Sequence, residues 1–119
     1  MAKQDAVIRQ AAVRFSDADA VSELLQRLPP HIAEDLRQEL EHRGSGFSGM
    51  RYDLESRRAF WFAADEQILL CVTLPSLSEE EAGLIWDQID RHQCGGNVAE
   101  IARAYDAVTG LKSETTTRI

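Results

Sequence analysis

FSGMRYDLESRRAFWFAADEQILLCVTLPSL, residues 47–77, is the stretch whose reading decides the fold. It carries five of the chain's eight aromatic residues, Phe47, Tyr52, Phe60, Trp61 and Phe62. Three segments within it alternate with the period of a strand. Met50, Tyr52 and Leu54 share one face, with Arg51 and Asp53 on the other. Phe60, Phe62 and Ala64 alternate with Ala59, Trp61 and Ala63, and Ile68, Leu70, Val72 and Leu74 alternate with Leu69, Cys71 and Thr73. The connections, residues 54–57 and Asp65-Glu66, are short. They predict an antiparallel meander with residues 58–64 in the middle.

Outward from this stretch the period changes to that of helices. Ser16 offers a cap, Asp17 and Asp19 suit a first turn, and Val21, Leu24, Leu25 and Leu28 form one apolar stripe. Pro29-Pro30 ends that helix and opens a second, carried by Ile32, Ala33, Leu36 and Leu40 and stopped by Gly44. Beyond the meander, Ser78 and Glu81 fit a capping box, with Leu77 and Ala82 as a hydrophobic staple. Asn97 and Glu100 open a last helix that Gly110 ends. The spacing of Val7, Ile8, Ala11, Ala12 and Phe15 favours a further helix, although residues 11–15 also suit a short strand. The expected fold is therefore α+β: a three- or four-stranded antiparallel meander packed with four to five helices. We expect one domain over residues 1–111 and a flexible tail over residues 112–119.

The alternation also raises the question of function. With Tyr52, Phe60, Phe62, Leu70 and Val72 read as core, the opposite face carries Trp61, Leu69 and Cys71 beside Arg51, Asp53 and Thr73. Either helices cover that face, or it is an apolar patch with the Trp and Arg anchors of a protein interface. The segment 68–74 is apolar on both sides and uncharged, so an exposed edge there calls for cover. Residues 11–15 meet that need as a fourth strand, or a second copy does, through the sheet face or that edge. Arg51, Arg57 and Arg58 add a small basic locus at the first hairpin.

Composition bounds the alternatives. The net charge of −7, from 13 basic and 20 acidic residues, argues against nucleic acid and anionic membranes as partners. No apolar run approaches the ~20 residues of a spanning helix. The N-terminus lacks the apolar core of a secretory signal, so a cytoplasmic location is expected. Two cysteines, Cys71 and Cys94, make no disulfide framework. His92 and Cys94, with His42, lack the paired spacing of a zinc site, and no nucleotide-binding or nucleophile-elbow motif is present. No cofactor, metal or catalytic residue is expected.

The reading favoured by these residues is a small acidic protein-interaction module, an adaptor, inhibitor or regulator. It would bind its partner, or itself, through Trp61, Leu69, Cys71, Arg51, Arg57 and Arg58. The alternative is a DNA-binding regulator built on a degenerate helix-turn-helix at residues 97–119. There Ser113 would cap the recognition helix, and Lys112 and Arg118 would face phosphate.

Overall fold

The computed structural model describes residues 7–43, 46–65, 67–92 and 98–118, with the backbone alone for residues 43, 92 and 115–118. In chain order the elements are β1 (Val7–Arg14), α1 (Ala18–Arg27), α2 (Pro30–Arg43), β2 (Ser48–Asp53), β3 (Arg58–Ala64), β4 (Ile68–Leu74), α3 (Glu79–His92), α4 (Val98–Thr109) and β5 (Glu114–Arg118). The strands form one sheet in the order β2-β3-β4-β1-β5. Its first four strands are antiparallel, as the meander requires, and β5 pairs parallel to β1. The class is α+β, with four helices among the described residues.

Helices cover both faces of the sheet. On one face, α3 and α4 bury Ile8, Ala59, Trp61, Val72 and Leu74 under Leu77, Ile85, Ile89, Ile101 and Tyr105. On the other, the α1–α2 hairpin buries Phe60, Phe62, Ala64, Leu69 and Cys71 under Leu24, Leu28, Ile32 and Leu36. The Tyr105 hydroxyl donates to the carbonyl of Pro75 at 3.0 Å, which ties α4 to the end of β4. Tyr52 donates to the carbonyl of Leu77 on the same side.

Several local signals act where the residues placed them. The Ser78 N–H donates to Glu81 Oε1 at 3.0 Å and the Glu81 N–H to Ser78 Oγ at 3.1 Å, so the capping box forms, with Leu77 and Ala82 both buried. The Leu54–Arg57 turn and the Pro29-Pro30 break lie as expected. At α1 the cap is Asp17 rather than Ser16, since the Asp17 carboxylate accepts the Ala20 N–H at 3.0 Å. The stop at Gly44 and the box at Asn97 lie outside the described residues.

Two expectations are corrected. The segment that we read as an N-terminal helix is β1, paired over Arg9–Arg14 with β4. Its helical spacing loses to the need of β4 for a partner. Residues 68–74 are apolar on both sides, and β1 supplies the missing ladder while placing Ile8 on one core and Ala11 and Val13 on the other. Of the two covers expected for residues 68–74, the fourth strand is the one that forms: β4 is interior, flanked by β3 and β1, and the edges are β2 and β5. The C-terminal segment is likewise neither an unpaired tail nor a helix. Its backbone is a strand whose register sets Val7 beside Glu114 and Ala11 beside Arg118. Thr-rich chain is a poor helix former and a good strand former, which accounts for the outcome.

A candidate anion-binding cleft

The sheet face assigned to a partner is buried by the chain itself. Trp61 is 1% exposed, Leu69 0% and Cys71 3%. They do not share a face either. Trp61 stands opposite Val72 and Met50, and Cys71 stands opposite Phe62. In an antiparallel pair the two facing positions share a side of the sheet, and within the β2–β3–β4 meander each odd-numbered residue faces an even-numbered one. The turn thereby swaps parity between neighbouring strands, and the expected grouping of Trp61 with Leu69 and Cys71 fails. Burial pushes the Cys71 thiol up to about 12, so no thiolate is available there near neutral pH.

The expected basic locus divides. Arg51 is spent on its own fold: Nη1 donates to the Met50 carbonyl at 3.0 Å and Nη2 to Glu39 Oε2 at 3.0 Å, and Nε lies 3.4 Å from Asp35 Oδ2. Gly49 leaves room for this arm, because a Cβ there would sit 3.1 Å from Arg51 Nη1. Arg57 occupies the left-handed region at φ 56 and closes the turn, its carbonyl accepting the Leu77 N–H at 2.7 Å. Arg58 is exposed and lines a cleft.

That cleft, about 660 Å³, lies between the α1–α2 corner and one end of the sheet. The pairing of strands builds its floor. Phe60 on β3 faces Thr73 on β4, which faces Arg9 on β1. The corner contributes Arg27, Leu28 and Pro29, and the hairpin contributes Arg58, Asp53 and Ser56. Three arginines from three distant parts of the chain therefore line one opening, all of them exposed. Among the described residues none of the three has a carboxylate at ion-pair distance, whereas Arg37, Arg51 and Arg103 do. Arg58 was a sequence expectation. Arg9 and Arg27 were not, and no spacing links them, because strand pairing and a helix corner bring them together.

Asp53 is the one buried charged residue of the described core. The Ser56 hydroxyl and the Ser56 N–H donate to its Oδ2, and His31 Nε2 lies 3.4 Å from its Oδ1. The Ser56 hydroxyl, then the Ser56 N–H and His31, hold the carboxyl below the usual range against the opposing effect of burial. Serine, aspartate and histidine meet here with the carboxylate in the middle. A nucleophilic serine needs the imidazole between itself and the acid. The Ser56 proton points instead at a carboxylate of lowered basicity, so the cluster braces the turn.

No protein-family model, no curated protein and no solved structure matches this chain.

Among the described residues, Lys112 and Ser113 do not line the cleft. Lys112 is exposed. The Ser113 N–H donates to Asp106 Oδ1 at 2.9 Å, fixing the α4–β5 connection rather than capping a helix. The side chains of Arg118 and His92, and all of Cys94, lie outside the described residues. Among the described residues no three His, Cys, Asp or Glu side chains converge as metal ligands, and no helix is long and apolar enough to cross a membrane.

Proposed function

We propose that this chain is a non-catalytic protein-interaction module, an adaptor, inhibitor or regulator, that engages an acidic group of its partner in the cleft of Arg9, Arg27 and Arg58. The observation that carries the reading is that three arginines, without carboxylate partners at ion-pair distance among the described residues, line one cleft in a chain of net charge −7. In such a chain cations gain most where they neutralise carboxylates, as Arg51 does. A cleft that keeps three of them open to solvent is built for an anion from outside. The order of Ser56, Asp53 and His31 supports binding over catalysis. The strand backbone of β5, where a DNA-binding regulator would need a recognition helix, supports a protein partner over DNA.

The test is fluorescence anisotropy with a labelled glutamate-rich peptide. Binding is expected to weaken steeply with salt and to fall at least tenfold in the Arg9→Gln/Arg27→Gln/Arg58→Gln variant. A charge-matched control, Arg14→Gln/Arg91→Gln/Arg103→Gln, should retain it. Equal loss in both variants would mean that net charge, not the cleft, governs binding.

A further inference from the structure

We infer that the anionic group taken by this cleft is a phosphate monoester, carried on a phosphorylated side chain of the protein partner. The inference rests on the acidic-partner reading above and names the ligand of the same site. It follows from counting charge and oxygens. The three guanidiniums and the Asp53 carboxylate leave the cleft a surplus of two positive charges. A carboxylate side chain brings one negative charge and two oxygens, which a single guanidinium fork satisfies. A phosphate monoester brings about −1.5 to −2 charge at neutral pH and three strong acceptor oxygens, enough to engage forks arriving from three directions. Arg9, Arg27 and Arg58 reach the one cleft from a strand, a helix end and a hairpin, three separate supports for one ligand of high charge.

The rest of the cleft matches a peptide around that group. The floor places Thr73 between Arg9 and Phe60, a hydroxyl beside an aromatic surface. Leu28, Pro29 and Pro75 line it as apolar walls. About 660 Å³ exceeds what a phosphate fills and leaves space for the neighbouring residues of an extended segment. A nucleic-acid strand fits poorly, since a chain of net charge −7 repels the successive phosphates that a single cleft cannot neutralise.

The test is a nuclear magnetic resonance titration of the full chain with three capped tripeptides, Ala-X-Ala, where X is phosphoserine, glutamate or serine. An unstructured oligonucleotide serves as a fourth probe. The phosphoserine peptide is expected to shift the Nε–Hε signals of Arg9, Arg27 and Arg58 and to bind at least tenfold more tightly than the glutamate peptide. That advantage should shrink as pH falls through the second phosphate ionisation, about 6. Arg58→Gln should weaken the phosphoserine peptide at least fivefold while leaving the spectrum of the folded core in place. Equal binding of phosphoserine and glutamate peptides, both dependent on the arginines, overturns the phosphate assignment and leaves the acidic-partner reading standing. If no peptide binds the folded chain, both fall. An oligonucleotide that shifts the same arginines more strongly than the phosphoserine peptide overturns the peptide assignment.

Discussion

Arg51, on the outermost strand β2, reaches Glu39 on α2 at 3.0 Å while its other terminal nitrogen bonds the carbonyl of Met50. One side chain thus fastens a helix to the sheet edge and covers a backbone acceptor that the edge would otherwise offer to a neighbour. Arg51→Leu should cost about 1 kcal/mol, since both partners keep partial contact with water. It should also raise self-association at high concentration. Urea denaturation and sedimentation velocity check the two effects.

Trp61 is fully enclosed, yet its indole Nε1 finds no acceptor among the described residues. Trp61→Ala should therefore cost ~3–5 kcal/mol, as cavities at large aromatic sites do. Trp61→Phe should cost much less, because removing an unpartnered buried donor offsets ~1–3 kcal/mol of the lost packing. A denaturant series on both variants separates the cases. Equal losses would mean that the indole nitrogen is satisfied.

Asp53 sets a pH dependence whose sign is fixed. Its folded pKa lies below its unfolded value near 3.8. The stability it contributes is therefore fully present above the unfolded value and is lost as pH falls through the folded one. Stability measured from pH 6 to pH 2 should drop in the acid limb of the wild-type chain. In Asp53→Asn that limb should flatten, on a chain already weakened at neutral pH by the loss of charge-assisted bonds to Ser56.

Cys71 should be chemically silent in the folded chain. With its thiol pushed up to about 12 and its side chain enclosed, a Cys94→Ser variant should react with a thiol reagent only as fast as the sheet opens. Addition of urea past the midpoint should restore ordinary reactivity. Rapid labelling in buffer would contradict the burial of the α1–α2 face.

Legibility followed the range of each signal. The meander, the proline break and the box at Ser78 and Glu81 are local patterns, and each formed where the residues placed it. β1 was legible only as the alternative that residues 11–15 form a fourth strand, and β5 was missed, for a shared reason. Their state is decided by partners far along the chain, and Val7-Ile8 or the threonines of 115–117 carry too little local pattern to overrule a helical spacing or a tail-like composition. Of the two readings of the Trp61 face, cover by helices is the one that holds, and the grouping of Trp61 with Leu69 and Cys71 failed on parity. Each strand's alternation was read correctly, but which sets of neighbouring strands share a face depends on the register of the turn at Asp65–Gln67. The cleft was legible only in Arg58, because Arg9 and Arg27 reach it through tertiary pairing.

The place of β1 between β4 and β5 also sets an order of assembly. The β2–β3–β4 meander closes through short turns, whereas Arg9 must find Thr73 across about half of the chain and Val7 must find Glu114 across nearly all of it. Pairings of such long sequence separation form late. Until β1 arrives, β4 presents the outer edge of Ile68–Leu74, seven residues with neither charge nor proline. β1 therefore acts as a guard on the edge it covers: any form of the chain in which it comes away exposes that edge to a second copy.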